Sequence, residues 1–412
     1  MSKMRDRGAS SPQLLRRANR QALMQHALRA PAFTAADAMT ATGLTRATVL
    51  GVCAELEQAG WLRETAERDE GVVQRGRPAR HFVLREDAAV LVGVDAGQHT
   101  LTARVADLRG RELAVGRRPL EGTVGEGEQG QRAAAQERTR AVRELLDEVI
   151  AQAGDRRSRR LLTVVGVPAP VDAAGRSPRG DQGYWPAMNP GFVDALEGRV
   201  LVENDANLAV LAEHALADPA AGTATDHLAT LLMGERFGAG LIVDGRLLRG
   251  AGGGAGEMRF LDGVLEDSRG ADGIAALARR WALEALAAGE SSPALSAIPA
   301  AQLTAIDVFS AAQAGDPLAR DILSRLGERL ARIAAILSSL LGVETVVVAG
   351  AIAEAIGPVL DHSRTALPHI ATPPYPELRA SALGSDVVVR GAIELALARL
   401  RGDPLDLLAT DV

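Results

Sequence analysis

At 412 residues the chain is too long for one ordinary domain, and its 47% hydrophobic content can fill two or three cores. A single cysteine, Cys53, excludes an internal disulfide framework and a four-cysteine zinc site. The net charge of −6 is unevenly spread: residues 1–90 hold 14 Lys and Arg against 10 Asp and Glu, while residues 91–412 hold 32 against 42, so only the head suits a polyanion.

The polar, charged N-terminal stretch has no apolar core of a secretory signal. The longest apolar helical stretch, residues 333–343, is bracketed by Arg332 and Glu344 and is too short to span a bilayer. A soluble cytoplasmic protein with no membrane partner is expected.

In the head, residues 13–28 have helical periodicity, with Leu14, Leu15, Ala18, Leu23 and Ala27 as candidate core positions. Thr34 is a candidate N-cap for a short helix over 35–41, Gly43 a left-handed terminator, and Thr45 a second N-cap. The helix that follows, over 46–58, would bury Val49, Val52, Cys53 and Leu56, spaced i, i+3, i+4, i+7. Two helices around a tight turn make a helix-turn-helix. Residues 61–64 and 80–84 predict two wing strands, with Arg75-Gly76-Arg77-Pro78 as a basic tip between them. This predicts a winged helix-turn-helix over residues 1–88. The N-terminal residues of its second helix, Thr45, Arg46, Ala47 and Thr48, would face base edges, and Arg75 and Arg77 phosphates or the minor groove. A small helical bundle that binds protein is the alternative. Cys53, on the buried face, reads as a small hydrophobe.

The body begins with an apolar strand, Leu91-Val92-Gly93-Val94-Asp95-Ala96-Gly97, and an alternating strand over 101–107 that turns at Arg109-Gly110. A helix over 132–153 and a buried strand over 163–167 follow. Further strands are expected over 227–233, 241–243 and 345–348, and a helix over 318–341. Hairpins followed by strand–helix alternation, occurring twice, predict two α/β lobes with a cleft between them. At the centre lies Leu201-Val202-Glu203-Asn204-Asp205-Ala206-Asn207, a short strand passing into a helix over 208–215. Polar groups at that strand end face the ligand crevice of an open α/β sheet. Two interpretations fit: Asn204 and Asp205 cap the helix, or Asp205 is placed to accept a hydroxyl proton.

These segments, with Gly166-Val167-Pro168-Ala169-Pro170-Val171-Asp172, Gly238 to Leu241, Ala255-Gly256-Glu257 and Val346 to Gly350, resemble the ROK family of repressors and sugar kinases over nearly the whole body. With the winged head, the chain is similar to the xylose-repressor and NagC/Mlc-type branch. The resemblance implies an actin-like, ribonuclease-H-type body with lobes at 89–206 and 207–386, a C-terminal helix near 387–402 packing back on the first. It also implies that Asp205 matches the family's catalytic base and Asn204 a sugar-hydroxyl ligand, while Glu257 and Glu266 match sugar-binding carboxylates.

Three departures from the pattern stand out. Gln98-His99-Thr100 puts bulk where a phosphate loop needs close backbone approach. Gly234-Glu235-Arg236-Phe237-Gly238 would put the Glu235 carboxylate beside the phosphates. Phe260 stands where the family has a zinc- and sugar-binding histidine, and the zinc loop's cysteines are missing, so no metal is expected there. The expectation is therefore a DNA-binding repressor, a homodimer or homotetramer on operator DNA. Its body would sense a sugar or sugar derivative, with no cofactor and no catalysis, Asp205 being vestigial. An active ATP-dependent sugar kinase with a DNA-binding head, and a regulator with a decayed pocket, remain as alternatives.

Overall fold

The computed structural model describes residues 12–65, 80–120, 127–154, 159–179, 184–217, 225–257 and 272–408. The head opens with α1 (Pro12–Arg29), β1 (Phe33–Thr34), α2 (Ala35–Thr42) and α3 (Arg46–Gln58). Its helix boundaries follow from caps. The Thr34 hydroxyl accepts from Asp37 N while Asp37 accepts from Thr34 N, a reciprocal capping box. Gly43, at φ 71°, returns its N–H to Met39 O and ends α2. Thr45 caps α3, which buries Val49, Val52, Cys53 and Leu56 as its spacing predicts. In α1 the expected core is displaced: Leu14 and Leu15 are 61% and 57% exposed, and Ala18 is exposed. The buried stripe is instead Leu23, Met24, Ala27 and Leu28, because only the C-terminal half of α1 packs against its neighbours.

Strands β2 (Leu62–Thr65) and β3 (His81–Leu84) pair antiparallel, and β1 joins β3 on its other side through Phe33 opposite Phe82. Trp61 precedes the sheet and packs into the core beneath the Arg159 guanidinium, 5.1 Å from its ring. The basic tip with Arg75 and Arg77 lies outside the described residues. Arg109 fastens the head to the body: it donates to Ala30 O (2.7 Å) and Leu28 O (3.3 Å), carbonyls at the end of α1 that lack helical partners, and pairs with Glu86.

The body repeats one topology. Strands β4 (Val90–Ala96), β5 (Thr100–Ala106) and β6 (Glu112–Pro119) form an antiparallel meander. The chain then runs through α4 (Gly127–Gln152), β7 (Arg160–Val167), α5 (Tyr184–Met188), α6 (Phe192–Ala195) and β8 (Val200–Asn204). Strands β7 and β8 lie parallel to β4, giving the order β6-β5-β4-β7-β8. After α7 (Asp205–Leu216), strands β9 (Leu228–Met233), β10 (Phe237–Val243) and β11 (Arg246–Leu247) form a second meander. Next come α8 (Ile274–Ala287), α9 (Ala305–Gln313), α10 (Pro317–Leu341), β12 (Thr345–Ala349), α11 (Gly357–Ile370) and β13 (Glu377–Ala380). Strands β12 and β13 again lie parallel to the meander's first strand, in the order β11-β10-β9-β12-β13. The chain closes with α12 (Val387–Gly402) and α13 (Pro404–Leu408). Among the described residues no helix is long and apolar enough to cross a membrane.

Glycines set where the two halves meet. A Cβ on Gly391 of α12 would lie 1.8 Å from Leu208 O, and one on Gly240 of β10 would lie 1.9 Å from Ala206 O. Helix α7 is thus held backbone to backbone on two sides, by α12 and by the second sheet. Gly253, at φ 75°, brings the loop after β11 against Val171 O of the first half, where a Cβ would lie 2.0 Å away. The polar end of β8 and the first turn of α7 therefore sit at the junction of the two sheets.

Candidate ligand cleft and nucleic-acid interface

In the head, the first turn of α3 stands clear of the core. Thr45, Arg46 and Ala47 are exposed and Thr48 half-buried, while Val49 behind them is fully buried. The Thr45 and Thr48 hydroxyls lie 2.9 Å apart, each with capacity for one more hydrogen bond. Arg46 makes no ion pair among the described residues. The turn presents two hydroxyls, a methyl and a guanidinium on a rigid frame.

At the cleft, the strand end is built from the inside out. Glu203 is buried: one carboxylate oxygen accepts from Asn204 N (3.0 Å) and Asn207 Nδ2 (2.9 Å), the other from Arg249 (2.8 Å). Asn204 is the N-cap of α7; its Oδ1 accepts from Asn207 N, and its Nδ2 donates to Ala169 O. The capping interpretation thus accounts for Asn204. Asp205 is the first residue of the helix, with Oδ1 accepting from Ala206 N at 2.7 Å. A groove of about 560 Å³ runs along β8 past Glu203 and Arg249, and Asp205 does not line it.

Burial pushes the Asp205 carboxyl up to about 8, and the neighbouring Asp95 charge adds to the rise while the Ala206 N–H opposes it. Asp95, at the end of β4, is raised to about 7 by burial, against the pull of the Arg138 charge. Arg138 donates to Ala96 O and Gly97 O, both at 2.8 Å, and so fixes the loop that follows β4. Both carboxyls thus hold a proton to higher pH than an ordinary aspartate, and in that form can donate hydrogen bonds as well as accept them. The Glu257 charge also reaches Asp205 and Tyr184, whereas Glu266 and Phe260 lie outside the described residues. Among the described residues no cluster of three or more His, Cys, Asp or Glu could hold a metal ion.

The two altered loops meet here in a way their sequence does not foretell. Tyr184 of α5 donates its hydroxyl to Gln98 Oε1 at 3.1 Å. From the second half, the Arg236 guanidinium lies 3.8 Å over the Tyr184 ring. A chain Gln98–Tyr184–Arg236 therefore crosses the cleft. Glu235 is paired: Arg279 of α8 donates to both its carboxylate oxygens, at 3.1 and 2.9 Å. Sequence reasoning missed Tyr184, although a tyrosine is conspicuous in a chain with two. It weighed the loop by Glu235 when Arg236 is the residue that reaches the cleft.

Two ribonuclease-H-type sheets of order 3-2-1-4-5, with carboxyls gathered at the strand ends between them, define the class of actin-like sugar kinases and their relatives. Residues 91–399 match the ROK family model, and the chain belongs to the ROK family. It is 32% identical over 211 residues to a glucokinase of Halalkalibacterium halodurans, covering 47% of this chain and 62% of that one. The chain thus spans less than two thirds of that relative's length. It is 27% identical over 335 residues to the DNA-binding transcriptional dual regulator NagC of Escherichia coli, covering 76% of this chain and 75% of that one. Among solved structures, a ROK family transcriptional regulator homologous to the E. coli MLC protein superposes with a TM-score of 0.71 at 21% identity, over 96% of this chain and 100% of the other. A ROK glucokinase from Streptomyces griseus, in complex with glucose and AMPPNP, superposes at 0.60 with 24% identity, over 74% and 99%.

Proposed function

We propose that the chain is a DNA-binding transcriptional regulator, a repressor in the simplest form, whose kinase-like body senses a sugar or sugar derivative without phosphorylating it. The observation that carries this reading is the exposed first turn of α3, with Thr45, Arg46, Ala47 and Thr48 on a capped helix beside a three-stranded sheet. That arrangement supports reading the head as a winged helix-turn-helix, whose second helix would enter the major groove. In this reading residues 1–88 bind operator DNA, with Arg75 and Arg77 on phosphates or the minor groove, and 89–206 and 207–386 are the lobes. Asn204, Asp205, Glu257 and Glu266 face the effector. The protein works in the cytoplasm as a homodimer or homotetramer, since such heads read paired half-sites. Head and first lobe share one continuous core, so lobe closure moves the heads as rigid bodies.

Titration of labelled duplex DNA at ~150 mM salt, the ionic strength at which surface charges are screened as in cells, tests this. Arg46→Ala is expected to weaken binding about tenfold if it reads a base. Equal affinity for the variant removes Arg46 from the interface.

A sugar kinase is the second reading, favoured by Asp205 and by the glucokinase relative. Against it, Gln98-His99-Thr100 puts bulk and Glu235 puts a carboxylate at the two loops that would hold ATP phosphates. ATP consumption coupled to a sugar panel separates the two.

A further inference from the structure

We propose that Arg236 is a specificity residue that selects an anionic sugar, one carrying a phosphate or carboxylate, over its neutral parent. The inference rests on the reading of the cleft as an effector site.

The loop around Arg236 is acidic, yet its acids are spoken for. Glu235 is taken by Arg279, and Asp272, which bridges to Arg236 through the backbone, is taken by Arg280. No carboxylate among the described residues lies within ion-pair distance of Arg236 itself. Its guanidinium is exposed and reaches across the cleft to stack on Tyr184. Stacking uses the flat face of a guanidinium and leaves its N–H edge available for a planar or tetrahedral oxyanion. Tyr184 is itself held by Gln98, so the platform that fixes the guanidinium is preorganised.

The floor of the cleft complements this. Asp95 and Asp205, both raised by burial, offer hydroxyl-binding groups that ionise less readily than ordinary aspartates and so repel a nearby acid group less. Glu257 adds an acceptor for sugar hydroxyls. A ring placed with its hydroxyls on Asp205 would carry an acid substituent toward the loop of residues 234–238. Among the described residues of that loop, Arg236 is the side chain able to neutralise it.

Isothermal titration of the full chain tests this with glucose, mannose and N-acetylglucosamine, each against its 6-phosphate, with glucuronate and inorganic phosphate alongside. At least one anionic sugar is expected to bind about tenfold tighter than its neutral parent, the scale of one charge-assisted hydrogen-bonded pair. Arg236→Gln should abolish that margin, read within the variant as the ratio of anionic to neutral affinity, and Arg236→Lys should restore part of it. Phosphate and uronate arms distinguish the two kinds of acid. Inorganic phosphate binding as tightly as the sugar phosphate would mean a bare anion site and overturn the proposal. A neutral sugar binding as well as its anionic form, with Arg236→Gln silent, would overturn it and leave the effector reading standing. No binding by any sugar would overturn both.

Discussion

Arg249 and Glu203 join the two halves of the body: the arginine Nε and one terminal nitrogen each lie 2.8 Å from a single oxygen of a carboxylate whose side chain is 5% exposed. Charges removed from water hold well only when every lone pair is used, and Glu203 meets this with Asn204 N and Asn207 Nδ2 on its other oxygen. Arg249→Ala leaves the carboxylate buried beside Asp205 with its charge unmatched. A loss of about 2 kcal/mol in unfolding free energy is expected, less than for a fully buried pair because Arg249 is partly exposed. Urea denaturation measures it, and an unchanged midpoint would show that solvent already satisfies Glu203.

The contacts of α7 predict opposite outcomes for two glycines. Gly391→Ala drives a methyl to within 1.8 Å of Leu208 O and should cost about 1–3 kcal/mol as α12 and α7 are forced apart. Gly51→Ala, on the exposed face of α3 with nothing within 4 Å, should stabilise by roughly 0.5–1 kcal/mol through helix propensity alone. Thermal denaturation of the two variants side by side checks the sign of each.

The Asp205 carboxyl yields a pH dependence. Its folded value, about 8, lies above the ordinary 3.8, so the folded state holds the proton more tightly than the unfolded chain. Its contribution is fully present below pH ~4 and is lost as pH rises through 8. Asp205→Asn removes the ionisation, so its melting temperature should fall less steeply than wild type between pH 5 and 8.5. Parallel curves would mean that Asp205 is solvated in the folded protein.

Cys53 should be inert while the head is folded. It is fully buried, and burial pushes its thiol up to about 11, so little thiolate exists at pH 8. Iodoacetamide followed by intact-mass measurement should show less than stoichiometric labelling until denaturant is added.

What the sequence made legible was local. The caps at Thr34 and Thr45, the Gly43 terminator and the Val49–Leu56 stripe follow from short-range rules, and each stands where those rules put it. The strands of the central β4 and β7 were legible because they are buried on both faces and read as apolar runs. The edge strands β6 and β13 were not: β6 mixes Glu112, Arg117 and Arg118 with its apolar residues, and β13 is four residues long. In the cleft, spacing located Asp205 and offered Asn204 as a cap, but could not tell that the Asn204 Nδ2 is also taken, by Ala169 O, 35 residues away. The Arg236–Tyr184 and Arg279–Glu235 pairs are long-range as well. Such partners are fixed by the packing of elements, which a single sequence does not display.

The central claim is that the head reads DNA, and selection of duplexes from a random library by the full-length protein tests it most directly. The account predicts enrichment of a palindrome whose half-sites lie one or more helical turns apart, bound about tenfold or more weakly by Arg46→Ala at the positions that residue touches. A pool that stays random after repeated rounds would contradict the account and leave the body, with whatever it binds, as the functional part of the chain.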